Sequence, residues 1–426
     1  MVMASQAVGL QCLQTILPDV ELPDFQLKGL ELTLINQKML LAFDTGTGKT
    51  FTYSAIVRAL MNRNPEKKHI LVIINDSIEQ VPRDVQNLTG LNVFAFDGKA
   101  DSTRLLQLRW NKGSVFCLTL EALRQMDLVC FLYMHLTEIE SWVIDEAHHV
   151  SNWDNSDTAF MIRSLTQYIP FVVELSATPM TRESKQYYRL MNLLDRNISH
   201  KRNETLRGKY VDRYMPVNRK DYDIKGKYTS TLIPVTPTLD QMKEQHGIVF
   251  RKLKGTGAVP QVEALLQTIE CRLENNKKII VSVHYHDTRE WVEKHLVERG
   301  IPFVSIHGRI TKRDDKNALL NRFKSGECDV LITSVTESLN IDADVVIFYE
   351  FSTSVKQVIG RAHRGLSGKP LEVVFILTLE TDEIEFFRKY IYERSLTIQK
   401  LLCKDYSELI EIGEKVEELQ NLKLEE

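Results

Sequence analysis

The stretch MLLAFDTGTGKT, residues 39–50, runs from five apolar residues into a glycine–threonine loop and closes on a lysine and a threonine. Met39–Phe43 predicts a buried strand, and Phe51–Asn62 directly after the loop has helical spacing. Gly46 and Gly48, interleaved with Thr45 and Thr47, let backbone N–H groups approach phosphate oxygens, and a helix N-terminus adds partial positive charge. In that geometry Lys49 reaches the β- and γ-phosphates of a nucleotide and the Thr50 hydroxyl ligates Mg²⁺. The pattern GxxxxGK[ST] asks for glycine at position 43, where this chain has Phe43. The competing reading is a strand–turn–helix with an incidental lysine.

The same rhythm extends to both sides. Ile70–Ile74, Val115–Leu118, Trp142–Ile144 and Phe171–Leu175 are further apolar runs separated by helical or polar stretches. Continuous apolar strands alternating with helices predict a parallel sheet covered on both faces. The rhythm stops near His200. From Lys201 to Thr238 the chain is polar and basic, with Pro216, Pro234 and Pro237, and reads as a solvated linker, a small insertion or an element that contacts nucleic acid. It resumes with Lys278–Val283, Pro302–Ile306, Asp329–Thr333, Val345–Tyr349 and Leu371–Leu377. Thr381–Glu426 has helical spacing, with an acidic end, and is expected to pack on one of the α/β units. The predicted domains are 1–198, a linker or insertion at 199–256, a second α/β domain at 257–380 and a helical extension at 381–426.

Composition narrows the class. With 426 residues, 43% hydrophobic and 26% charged, the chain fills more than one globular core. Nothing approaches the roughly 18 apolar residues of a membrane span, and Met1–Leu22 lacks the basic start of a signal peptide, so a cytoplasmic protein without membrane partners is expected. The six cysteines are scattered without a CxxC pair and read as reduced thiols. The net charge is −3, so a polyanion site has to be built locally.

Val143–His148 ends a second apolar run in Asp145-Glu146-Ala147-His148. Ligands collect at the carboxyl ends of parallel strands. Asp145 is then placed to hold Mg²⁺ and Glu146 to polarise an attacking water; adjacent acids at a strand end also serve as helix N-caps.

Together these elements resemble the superfamily 2 helicases and translocases of DEAH-box type, and within them the SWI/SNF-like double-stranded DNA translocases, over about Pro23 to Leu402. Phe25-Gln26 resembles the glutamine motif, which implies that Gln26 reads adenine. Ser176-Ala177-Thr178-Pro179 is similar to the SAT motif, so Ser176 and Thr178 would couple hydrolysis to domain movement. Residues 174–196 and Val150–Asn155 are the most SWI/SNF-like. Ile279–Thr288 resembles motif IV, Ser338–Ile341 motif V and Thr119-Leu120-Glu121 motif Ib, in which Thr119 would grip a nucleic-acid phosphate. Gln357-Val358-Ile359-Gly360-Arg361-Ala362-His363-Arg364 matches QxxGRxxR, which implies that Gln357 serves catalysis and that Arg361 and Arg364 act as arginine fingers. Ser338 and Thr336 stand where the family has glycine, and 196–278 is short for the protrusions of chromatin remodellers.

The resemblance implies two RecA-like domains in tandem with a nucleotide cleft between them, ATP and Mg²⁺ as cofactors, and movement along a nucleic-acid backbone, duplex or branched DNA before RNA. A recruiting protein partner and a minimal bacterial or viral motor fit the same resemblance. An RNA helicase and a nucleotide-gated binding subunit are the alternatives. Within the motif IV stretch, His284 and His286 flank Tyr285 at a strand end, where alternation puts both on one face, without further metal ligands in view, so they read as core or surface residues; Trp110 and Trp153 could stack on bases or pack in the core.

Overall fold

The computed structural model describes residues 16–152, 155–181, 183–198, 211–222, 228–237, 259–308, 310, 313–334, 341–350, 355–362, 370–379 and 381–424. The chain divides into two compact units, Met1–Tyr222 and Asp223–Glu426. Arg364, Trp153, the motif V residues 335–340 and the basic stretch 199–210 lie outside the described residues.

In the first unit the order is α1 (Asp24–Asn36), β1 (Lys38–Phe43), α2 (Lys49–Arg63), β2 (Lys68–Ile73), α3 (Gln80–Thr89), β3 (Val93–Phe96), α4 (Ser102–Arg109), β4 (Val115–Thr119), α5 (Met126–Met134), β5 (Ile139–Ile144), α6 (Asp157–Thr166), β6 (Phe171–Leu175), α7 (Ser184–Leu194) and β7 (Tyr214–Val217). The strands form one parallel sheet in the order β3-β4-β2-β5-β6-β1-β7. Apart from Lys38 and Lys68 at their first positions, β1, β2, β4, β5 and β6 are buried throughout. That is why they read as continuous apolar runs rather than as alternating ones.

The second unit holds β8 (Tyr228–Val235), α8 (Val259–Leu273), β9 (Ile279–Ser282), α9 (His286–Glu298), β10 (Phe303–Ile306), α10 (Arg313–Ser325), β11 (Val330–Thr333), β12 (Val345–Phe348), α11 (Val355–Ala362) and β13 (Leu371–Thr378). Its sheet is also parallel, in the order β10-β11-β9-β12-β13-β8. The core on α8 and α9 is mostly aliphatic, drawn from Leu265, Ile269, Val281, Leu296, Ile332 and Ile347 among others. Each buried Leu or Ile contributes roughly 1.5–3 kcal/mol by leaving water. The tail forms α12 (Asp382–Phe387), a π-helical turn (Arg388–Tyr392), α13 (Glu393–Leu402) and α14 (Ser407–Leu424), and belongs to this second unit.

Every apolar run read as a strand is one, and the two parallel sheets in tandem are the expected architecture. The reading of 199–256 as linker or insertion needs correction. Its described parts supply an edge strand to each sheet: β7 pairs with β1, and β8 pairs with β13. Pro216 and Pro234 spoke for a linker, but a proline costs little on an edge strand, where one side of the backbone has no ladder to complete. β3 was also missed; it is four residues long and only partly buried.

Glu174 is the odd residue of the first core. It sits mid-sheet on β6, opposite Leu40 and Ile144, is fully buried, and has no hydrogen-bond partner for either carboxylate oxygen among the described residues. Burial pushes its pKa well above the usual carboxylate range, opposed in part by the Arg196 guanidinium. A carboxyl with a raised folded-state pKa leaves stability intact below its unfolded pKa and removes it as pH rises towards the folded value. Glu174→Gln is therefore expected to unfold at a higher denaturant concentration than the wild type, with the difference growing between about pH 5 and 8. A difference that is the same at both ends of that range would mean that Glu174 is ionised in the folded protein.

Candidate active site

β1 delivers the glycine–threonine loop. Phe43, which stands in the place of the pattern's glycine, is fully buried and meets Phe25 edge-on at 5.7 Å. It is the last strand residue, so the phosphate loop itself begins at Asp44 and the missing glycine changes none of its backbone. Gly46 and Gly48 have φ of +81° and +75°, values that L side chains rarely adopt. Gly48 opens α2, and a Cβ there would fall 2.7 Å from Gln26 Nε2. Lys49 and Thr50 follow in the first turn of α2, where backbone N–H groups are unpaired by the helix itself.

Two residues hold this loop from behind. Gln26, expected to read adenine, donates from Nε2 to the carbonyls of Thr47 (2.7 Å) and Gly48 (3.2 Å), so its amide braces the loop. Asp44 was not singled out by the sequence. Its carbonyl accepts from Thr47 Oγ1 at 2.7 Å, its N–H donates to Val217 O at 3.1 Å, and its Oδ2 accepts from Arg219 N at 3.0 Å. The loop is thus tied to β7 and the residues after it. An acidic side chain beside a phosphate loop makes electrostatic sense only if backbone N–H groups take up its charge, and that was the available clue.

β5 delivers the acid pair. Asp145 N donates to Val72 O at 2.9 Å, which continues the β2–β5 ladder, and Asp145 Oδ1 accepts from Glu146 N at 2.9 Å. Glu146 has φ 48° and ψ 49°, a left-handed backbone that costs a non-glycine residue on the order of 1–3 kcal/mol. Its carboxylate lies 3.9 Å from Lys49 Nζ, and both side chains are 12% exposed. His148 Nδ1 stands 3.5 Å from Glu146 Oε2 and 3.1 Å from Ser176 Oγ, and Ser176 Oγ accepts from Thr178 N at 3.2 Å. The sheet order explains the convergence: β6 lies between β5 and β1, so Ser176 emerges between the acids and the lysine loop. Tyr53 on α2 is buried beneath them, and burial followed by the Asp145 charge pushes its phenol well above its ordinary pKa.

The donor set suits a hard cation. Thr50 offers a hydroxyl and Asp145 a carboxylate, the one or two protein oxygens that Mg²⁺ takes when nucleotide phosphates and water complete its octahedron. Among the described residues no group of three His, Cys, Asp or Glu could hold a metal ion. β9 ends at Ser282, so His284 lies in the following turn and His286 opens α9, not on one strand face. Trp110 stacks on Phe116 at 4.8 Å and donates to Glu138 Oε2 at 2.8 Å, which makes it a core residue. Thr119 is fully buried, and its Oγ1 accepts from Ala122 N at 3.1 Å. Direct contact with a nucleic-acid phosphate is not open to that hydroxyl; it shapes the turn after β4.

In the second unit, Gln357 and Arg361 are four residues apart on α11, hence on one face, while Val355, Val358, Ile359 and Ala362 are buried.

Fold and loop define a RecA-like, phosphate-loop nucleotide-binding protein. Residues 25–224 match the SNF2-related domain and residues 260–365 match the helicase conserved C-terminal domain. The chain belongs to the SNF2-like superfamily 2 helicases. Among curated proteins it is 28% identical over 159 residues to UvrABC system protein B of Beutenbergia cavernae, covering 32% of this chain and 22% of that one. It is 27% identical over 198 residues to the same protein of Mannheimia succiniciproducens, covering 42% and 29%. The chain thus spans less than a third of the length of these curated relatives. Among solved structures, the Hef helicase domain of Pyrococcus furiosus shares its fold, with a TM-score of 0.56, 17% identity and coverage of 84% and 97%. The SWI2/SNF2 ATPase core of Sulfolobus solfataricus in complex with dsDNA aligns over 90% and 92%, with a TM-score of 0.43 and 15% identity.

Proposed function

We propose that the protein is an ATP-dependent DNA motor that couples hydrolysis of Mg-ATP to movement along a duplex backbone. The observation that carries this reading is the approach of Lys49 Nζ and Glu146 Oε1 to 3.9 Å at the ends of β1 and β5. Lys49 and the loop N–H groups hold the phosphates, and Glu146 takes the proton of a water aimed at the γ-phosphorus. Thr50 and Asp145 would hold Mg²⁺, which would neutralise charge on the β- and γ-phosphates. His148, within reach of both Glu146 and Ser176, gives the hydrolysis site a route to the segment after β6. By their resemblance to QxxGRxxR, Gln357, Arg361 and Arg364 would serve the chemical step.

Duplex DNA is favoured over RNA by the SNF2-related match over residues 25–224 and by the SWI/SNF resemblance of 174–196. Phosphate contacts would dominate, so binding should be weakly sequence-specific and fall with salt. The test compares ATPase rates with duplex DNA, single-stranded DNA, branched DNA and RNA at one salt concentration. Duplex or branched DNA is expected to stimulate most. Equal rates with and without every polymer would sink the motor reading, and stimulation by RNA alone would replace DNA as its track.

A further inference from the structure

α11 is eight residues long, too short to be stable by itself. What it packs against therefore decides where Gln357 and Arg361 are held. Its apolar stripe is buried, and the neighbouring Lys356 is enclosed by residues of three other segments. Lys356 Nζ lies 5.0 Å from the centre of the Tyr406 ring and 5.5 Å from that of Tyr228. It donates to the Asp405 carbonyl at 2.9 Å and to the Tyr228 hydroxyl at 3.4 Å, and that hydroxyl donates on to Glu408 Oε2 at 3.0 Å. Tyr228 comes from the edge strand β8, Asp405 and Tyr406 from the turn between α13 and α14, and Glu408 from the first turn of α14.

The cage is itself fixed. Asp405 Oδ1 accepts from Ser407 Oγ at 2.7 Å, and Tyr406 N donates to Gln399 Oε1 at 3.3 Å. Gly413 of α14 lies so close to the Tyr392 ring of the π-helical turn that a Cβ would have no room. A lysine with solvation as its only need would not be drawn between two rings and two acceptors, where the ring faces and the carbonyl replace its water. Burial and the Glu408 carboxylate also keep the Tyr228 phenol protonated, as a donor to Glu408 must be.

We infer that the Tyr228–Tyr406 cage makes Lys356 a positioning residue, through which the C-terminal helices set the placement of Arg361 and hence the rate of hydrolysis. The inference rests on the ATPase reading above. Lys356 would act through Arg361, which makes the two residues non-additive.

Lys356→Met keeps the apolar stem and removes the ammonium. It is expected to lower kcat on the order of tenfold, the size of a lost cation–π contact and hydrogen bond together. The KM for ATP should stay near wild type while the unfolding midpoint falls modestly, Lys356→Arg should recover part of kcat, and amide exchange across 355–362 should quicken without nucleotide. Tyr406→Leu should give the same signature from the other side of the cage. Added to Arg361→Ala, Lys356→Met should cost nothing more. Faster exchange with unchanged kcat would overturn the inference, as would losses that multiply in the double variant. If Arg361→Ala itself turned over like wild type, the role given to Arg361 would fail and this inference with it. The exchange measurement would distinguish that case from a cage that never held the helix.

Discussion

Glu146→Gln is expected to slow ATP turnover on the order of 10²–10⁴-fold while nucleotide and DNA affinity stay within a few-fold of wild type. The substitution keeps the shape of the side chain and the strained backbone at φ 48° that aims it at Lys49. It removes only the capacity to take a proton. Asp145 keeps its hydrogen bond from the backbone N–H of residue 146 and stays placed for the metal. Losing the carboxylate also removes the opposite charge 3.9 Å from Lys49 Nζ, which frees that ammonium for phosphate; ATP affinity should hold or rise. Single-turnover rates and equilibrium binding of ATP measure the two effects separately. Loss of ATP binding with the hydrolysis step intact would make Glu146 a binding residue and give the general base to another group.

Much of this site is local in the sequence and could be read there. Gly46, Gly48, Lys49 and Thr50 are consecutive or nearly so, and their placement depends on one turn and the start of one helix. Asp145 and Glu146 are neighbours at a strand end. Strands buried on both faces leave continuous apolar runs, which is why their existence was legible even where their ends shifted by up to three residues. What escaped depends on pairings between distant segments. Asp44 matters because Val217 and Arg219 lie beside it, and nothing in residues 44–50 announces a partner about 170 positions away. Gln26 was read from a motif as a base reader, and what the motif did not announce is that its Nε2 braces the backbone of Thr47 and Gly48. Thr119 was read from a resemblance to motif Ib, yet β4 buries its hydroxyl and Ala122 N–H uses it. Edge strands β7 and β8 lacked the apolar run because each is paired on one side only, and proline is tolerated there. The cage around Lys356 draws on residues 228, 356, 405 and 406, which no local pattern joins.

Arg361→Ala is expected to leave ATP affinity within a few-fold while turnover falls by a factor on the order of 10³–10⁵, the range found where arginine fingers are removed. Arg364→Ala should behave alike, with the loss divided between the two if they share the developing charge. The reason lies in the division of the chain: Lys49 belongs to Met1–Tyr222 and Arg361 to Asp223–Glu426. On the proposed reading Lys49 and the loop N–H groups would capture the nucleotide, so the arginines should register in the chemical step. Lysine at 361 should rescue poorly, because it restores the charge without the planar fork that meets two oxygens at once. A fragment ending at Tyr222 carries the argument further. It must extend that far, since cutting near residue 195 would remove β7 and with it the Val217 and Arg219 contacts that anchor Asp44. Such a fragment, if it folds by circular dichroism, should bind ATP and hydrolyse almost none, with or without DNA. Robust DNA-stimulated hydrolysis by residues 1–222 would remove the arginines of α11 and the segment after it from the reaction, and the two-unit motor would go with them.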